Sequence, residues 1–287
     1  MSKHYRFTKM HGCGNDFILF DCFDQSLYDP ETMALILSDR HVGIGGDGIV
    51  TLSPSDEADI SLRFYNTDGT EAPLCGNGLR CAVKLAVDHC LTENDTVTVE
   101  TRSGVLTASL LPATRSKNGK TVDVRVDLGA PAVVQPDMHL TLGGKELTVT
   151  TVRVGGLFRV ISGEANRLTD PAGDSFDIDR FDFAAFASAA AADAPDCADI
   201  AVTKTLNKTT LAMRVWERGN GETRACGTGA CAAVTAACRS GVCAYDTDVT
   251  VRLMGGDMIV RCEAPDKGGR VLLTGQAATV FDGDILF

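Results

Sequence analysis

The sequence lacks most of the features that announce a partner. No Cys-x-x-Cys pair is present among its 287 residues, so nothing has the spacing of a zinc ribbon or finger. Lys and Arg number 27 against 38 Asp and Glu, a formal charge of −11, which excludes the clustered basic face of a nucleic-acid-binding protein. Aromatic residues are few, with a single tryptophan. No apolar run approaches the roughly 20 residues of a membrane-spanning helix. The opening Met1-Ser-Lys-His-Tyr-Arg6 carries no signal-peptide core. These absences predict a cytoplasmic protein with no metal, no nucleic acid and no membrane among its partners.

Cysteine, in contrast, is plentiful. Eleven cysteines, an odd number without disulfide-framework spacing, suit a reducing compartment. Nine read as small buried hydrophobes. The other two, Cys75 and Cys226, lie in a motif that occurs twice. A shift of 151 positions carries Cys75 onto Cys226, Gly76 onto Gly227, Gly78 onto Gly229 and Glu71 onto Glu222. Ala82, Val83 and Ala86 fall on Ala233, Val234 and Ala237. One residue is then gained, and Val97-Thr-Val99 meets Val249-Thr-Val251.

Each copy reads as an extended segment, a Gly-rich loop, and Cys-Gly-x-Gly opening an Ala-rich helix. The glycines leave amide N–H groups unobstructed at a helix N-terminus, where an anion binds readily. The same dipole is expected to favour the thiolate of each cysteine. Duplicated halves usually pack about an approximate two-fold axis, which would set Cys75 and Cys226 on opposite sides of one cleft. A carboxylate held by both helix termini would place its α-carbon between two sulfurs. One thiolate could then take the α-proton while the other thiol returns a proton to the opposite face, inverting the centre. Preorganised donors would have to stabilise the carbanion, an effect of up to about 3 to 4 kcal/mol each.

The repeat predicts two domains, residues 1–121 with 276–287 and residues 122–275, the C-terminal segment returning to cover an open edge of the first. Helices are expected over 30–40, after Cys75, over 179–192 and after Cys226. Strands are expected near 5–7, 18–20, 49–52, 61–65, 96–101, 105–111, 122–128, 146–154, 157–161, 198–203 and 209–216.

Other readings of the cysteine motifs compete with this one. Two core thiols at Gly-rich helix starts would explain neither the duplication nor the loop chemistry. A metal set of Cys75/Cys81 and Cys226/Cys231 places the members of each pair on different helical faces. A reversible disulfide between Cys75 and Cys226 would follow closure without ligand. A binding module that keeps the cradles without turnover is the alternative from a different functional class. Arg218 reads either as a surface partner of Glu217 or Glu222, or as a carboxylate fork.

Lys9-Met-His-Gly-Cys-Gly-Asn-Asp-Phe17, Asn66-Thr-Asp-Gly-Thr-Glu71 with Cys75-Gly-Asn-Gly-Leu-Arg-Cys81, and Glu217-Arg-Gly-Asn-Gly-Glu-Thr223 with Ala225-Cys-Gly-Thr-Gly-Ala230 together resemble the signatures of the diaminopimelate epimerases, across essentially the whole chain. The resemblance implies an α/β (α+β) fold of two pseudo-symmetric domains, each a curved, mostly antiparallel sheet around a central helix. It implies an isomerase that works without pyridoxal phosphate or any other cofactor on a small amino-acid substrate, with a second copy of the chain as the expected oligomeric partner. Cys75 and Cys226 correspond to the acid/base pair. Gly76, Asn77, Gly227 and Thr228 correspond to the helix termini that hold the reacting carboxylate. Asn15 resembles a substrate ligand, Glu217 a carboxylate near the α-ammonium and the thiols, and Asn66 and Arg218 contacts to the distal end.

The sequence also departs from that pattern. Gly155-Gly-Leu-Phe158 stands where the family carries a histidine segment, which leaves Asp16 without its family partner and offers Phe158 as an apolar or cation–π surface. Asp199 replaces a neutral amide at a distal substrate-binding position, and Gly48 replaces a glutamine. A carboxylate at 199 opposes a distal carboxylate and favours a distal cation, so lysine, ornithine and histidine enter as alternative substrates.

Overall fold

A computed structural model describes residues 3–169, 172–173, 175–193, 198–218 and 221–287, and divides into two compact units, Met1–Asp127 with Thr274–Phe287 and Leu128–Leu273. Cys197 and the Gly219-Asn220 tip of the second loop lie outside the described residues.

The first unit contains, in order, β1 (His4–Gly12), β2 (Asn15–Asp21), α1 (Pro30–Leu37), β3 (Gly48–Ser53), β4 (Ile60–Asn66), β5 (Glu71–Ala72), α2 (Gly76–Asp88), β6 (Thr96–Thr101), β7 (Gly104–Leu111) and β8 (Thr121–Asp127). The second contains β9 (Ala132–Leu142), β10 (Lys145–Val154), β11 (Gly156–Ser162), α3 (Phe183–Ala192), β12 (Asp199–Asn207), β13 (Thr210–Glu217), β14 (Gly221–Thr223), α4 (Gly227–Arg239), β15 (Asp248–Leu253) and β16 (Gly256–Cys262). The final strand, β17 (Val271–Leu286), starts in the second unit and runs on into the first.

In the first unit β2 pairs parallel with β3, β3 antiparallel with β4, β4 parallel with β6, and β6 antiparallel with β7. β1 joins β2 on one side and β17 on the other, and β17 also pairs with β8, so the sheet closes on itself. The C-terminal strand therefore does cover the edge that the sequence leaves open. α2 fills the interior, touching β1, β2, β3, β4, β7 and β8. Every residue from Gly76 to Ala86 is buried, a consequence of wrapping a sheet around the helix. β8 shows why the strands face it correctly: Val122, Val124 and Val126 alternate with polar residues and are fully buried.

The second unit repeats this order. β11–β12 is parallel, β12–β13 antiparallel, β13–β15 parallel and β15–β16 antiparallel, with α4 touching β10, β11, β12, β13, β15 and β16. α3 packs outside that helix, with Phe183 and Phe186 entering a cluster that includes Phe176, Phe181, Ile200 and Val202.

Three sequence expectations are corrected here. The domain change falls after Asp127 and Leu273, because Thr121–Asp127 pairs with β7 and belongs to the first sheet. The helix expected over 179–192 begins at Phe183, where Asp182 caps it by accepting from the Ala185 amide, and the helix expected over 30–40 ends at Leu37. β9 is a strand outside the sequence expectations: its first half is largely exposed around Gln135-Pro-Asp137, and only Met138, Leu140 and Leu142 alternate toward the interior.

Candidate active site

The two cysteine motifs fold alike. Cys75 is the N-cap of α2 with φ −132° and ψ 111°, and Cys226 is the N-cap of α4 with φ −135° and ψ 111°. Each sulfur accepts from the amide three residues on, Gly78 or Gly229, at 3.4 Å. A thiol thus occupies the capping position that Ser, Thr or Asp usually takes. Gly76, Asn77 and Gly227 are buried at the first turns and Thr228 is half-buried.

Beside Cys75, the structure brings together more than the sequence foresees. Its sulfur lies 4.0 Å from Asn15 Oδ1, which also accepts from Asn77 Nδ2 at 2.8 Å. Asn15 Nδ2 donates to Asp47 Oδ2 at 2.6 Å. Asp16 is not left without a partner: Lys9 Nζ and Arg40 each approach its oxygens at 2.6 Å. Burial alone would raise this carboxyl, but hydrogen bonds from Arg40 and Lys9 outweigh it and hold it at about 2. Two cations thus pair with this carboxylate. Asn66 is exposed at the end of β4 and donates to Thr70 Oγ1 at 3.0 Å. Opposite it stands Gly48, at φ 152°, where a Cβ would strike the Tyr65 carbonyl; no glutamine fits that backbone.

In the second unit Cys226 is buried, with Thr228 Oγ1 at 3.5 Å. The expectation of a favoured thiolate fails for this residue. Burial raises the thiol well above its ordinary value, and the charge and hydrogen bonding of the Glu217 carboxylate raise it further, while the helix amide and Thr228 only partly offset them. Cys226 is a thiol at neutral pH with a proton acceptor beside it. Asp199 accepts from the Arg218 amide at 2.9 Å, which draws Glu217, Arg218 and Asp199 into one group. Burial, then the Glu217 charge, push the Asp199 carboxyl up to about 6 against the pull of the Arg218 amide and charge. Phe158 offers no open face. Its ring is 1 % exposed and packs under the first turn of α4, where a Cβ on Gly229 would come within 3.2 Å of it.

Two residues near Cys75 were missed in the sequence, Asp47 and Arg80. The latter is completely buried and donates to Asn77 Oδ1 at 2.6 Å. Its signal lay in the repeat: position 80 aligns with Cys231, a charge against an apolar residue inside an otherwise matching helix start. Among the described residues no His, Cys, Asp and Glu group has the arrangement of a metal site, and no described cysteine is half of a disulfide.

The fold defines a structural class, two helices each wrapped by a sheet, that solved structures share. The chain has a TM-score of 0.70 with a hydroxyproline epimerase from Agrobacterium vitis at 12 % identity, covering 99 % of this chain and 93 % of that one. It has a TM-score of 0.73 with a phenazine biosynthesis protein of the PhzF family from Bacillus anthracis, at 16 % identity and 99 % and 100 % coverage.

Within that class the chain belongs to the diaminopimelate epimerase family, whose sequence profile matches residues 7–134 and 177–280. It is 36 % identical to the diaminopimelate epimerase of Methanococcus maripaludis, over 98 % of this chain and 99 % of that protein. It is also 36 % identical to that of Bacillus subtilis, over 97 % and 98 %. The protein is therefore an isomerase.

Proposed function

We propose that the chain interconverts LL- and meso-diaminopimelate, inverting one α-carbon by proton transfer between Cys75, Cys226 and the substrate. The observation that carries this reading is the pair of cysteines in matching N-cap geometry, one per unit, on a chain that follows diaminopimelate epimerases over nearly its full length. Inversion needs a proton carrier on each face of the stereocentre, and two thiols supply them. Glu217 takes the Cys226 proton, the resulting thiolate removes the α-hydrogen, and the Cys75 thiol protonates the other face; the reverse reaction exchanges these roles. Amides of the α2 and α4 first turns, with Asn77 and Thr228, hold the reacting carboxylate as electron density builds on it. Asn15 holds the substrate near Cys75, and Asn66 and Arg218 meet its distal end. The protein works in the cytoplasm as a homodimer, with no cofactor.

A second reading has one observation in its favour. Asp199 and Glu217 set two carboxylates side by side, an environment that suits a distal cation such as that of lysine or ornithine. Incubation of the reduced enzyme in deuterium oxide with LL-diaminopimelate, lysine, ornithine and histidine separates the two. Rapid α-deuteration of diaminopimelate alone supports the first reading, and exchange confined to the basic amino acids overturns it.

A further inference from the structure

The environment of Cys75 is wired in one direction. Arg80 can only donate hydrogen bonds and an ionised Asp47 can only accept them. Between these ends lie two amides, each of which could otherwise face either way. Because Arg80 donates to Asn77 Oδ1, Asn77 must turn its NH2 to Asn15, and it meets Asn15 Oδ1 at 2.8 Å. Asn15 must then turn its own NH2 to Asp47, at 2.6 Å. The group of Asn15 that faces the Cys75 sulfur is then the amide oxygen, an acceptor 4.0 Å away to which the S–H can donate.

Arg80 occupies a site that packing alone would not fill with a cation. It is 0 % exposed, its Nε has no hydrogen-bond partner among the described residues, and its other bond inside the helix, to the Gly76 carbonyl, is long at 3.4 Å. The guanidinium lies between Gly12 of β1 and Gly275 of β17, where an added Cβ would come within 3.2 and 3.1 Å of it. Asp123, half-buried on β8, feels its charge. An apolar side chain of similar volume would fill this space without the cost of burying a charge.

We infer that Arg80 and Asp47 are positioning residues whose opposite hydrogen-bonding character fixes the polarity of the Asn77–Asn15 relay, and so keeps Cys75 loaded as a proton donor. Neither touches the reacting atoms. The inference rests on the proposed role of Cys75, but its test does not require turnover.

In the intact enzyme, the pH dependence of Cys75 alkylation by iodoacetamide, followed by peptide mass spectrometry, reads the proton on that sulfur directly. Arg80→Met and Asp47→Asn are each expected to lower the midpoint by about half a pH unit or more, because either frees Asn15 to turn its NH2 toward the sulfur and favour the thiolate. Bare charge removal would instead raise it for Arg80→Met, an outcome that overturns the inference, and would lower it for Asp47→Asn, so both are repeated with Asn15→Ala, which cuts the relay. The inference expects both shifts to shrink to less than about a third of their size there, as coupled residues do. No shift in the Asn15 enzyme, or undiminished shifts in the Asn15→Ala enzyme, overturns it. Should Arg80→Met not fold, the half-exposed Asp47→Asn pair decides by the same criterion. Absent diaminopimelate turnover in the wild-type protein would sink the proposed reaction and leave this result standing.

Discussion

The two units share a backbone plan and differ in how they handle a proton. In the first, the thiol is partly exposed, faces an amide, and has Asn66 at the position that aligns with Glu217. In the second, it is buried against the carboxylate of Glu217 itself. A second pair of aligned residues differs in the same sense. Arg214 and Glu222 form a two-pronged ion pair at 2.6 and 2.9 Å, with Arg214 also stacked on Phe183 and bonded to the Ile178 and Phe181 carbonyls. Their counterparts Arg63 and Glu71 stand 3.9 Å apart, and Glu71 is shared with Arg102. The two caps match, and what surrounds them differs: a carboxylate stands beside Cys226 and an amide beside Cys75.

The strongest way to break this comparison is to remove a sulfur. Cys75→Ala and Cys226→Ala are each expected to lower inversion by at least about 10³-fold, measured by polarimetry or a coupled assay, because neither thiol can serve both faces. An active single variant would show that one unit suffices.

Glu217→Gln comes next, with kcat reduced about 10²-fold. Since the carboxylate opposes formation of a nearby thiolate, its removal should also lower the pH at which Cys226 is alkylated. Asn66→Ala, the aligned change in the first unit, should leave the Cys75 profile in place. Equal responses in both units would erase the distinction drawn above.

Smaller effects concern stability, read from urea unfolding. Arg214→Ala is expected to cost about 3 kcal/mol, since it strands a largely buried carboxylate. Arg63→Ala, at a 40 % exposed site, should cost less than about 1 kcal/mol.

Asp16 gives a pH signature. Its folded carboxyl lies at about 2, below the ordinary 3.8, so its contribution is complete above pH 4 and is lost as pH falls through about 2. Asp16→Asn should remove about 2 kcal/mol at neutral pH and flatten the acid limb between those values. An unchanged acid limb would mean that Lys9 and Arg40 do not hold Asp16 in solution.

Much of this was legible in the residues. Cys-Gly-x-Gly marks both helix starts, and the offset of 151 points to the two units; that each sulfur caps its helix is seen only in the structure. The alternating valines of β8 were readable as a strand, but its membership of the first sheet was not, because that depends on pairing with β7 and β17. β9 is harder to read because its alternation, Met138, Leu140 and Leu142, is short and follows Pro136 and an exposed first half. The ionisation of Cys226 was misjudged because a helix dipole can be read from local sequence, whereas the burial that outweighs it comes from distant strands. The burial of Arg80 is not legible in the sequence, where an arginine in a helix ordinarily faces solvent. Only the closed sheet reveals that this helix has no surface along its first three turns.

β17 also bears on the order in which the chain matures. The second unit is continuous, so a ribosome can release all of it while the first still lacks the strand that seals β1 to β8. Until those last residues emerge, the first-made half waits with two unsatisfied strand edges. A frameshift or nick near Thr274 would leave it in that state, open to pairing with other chains.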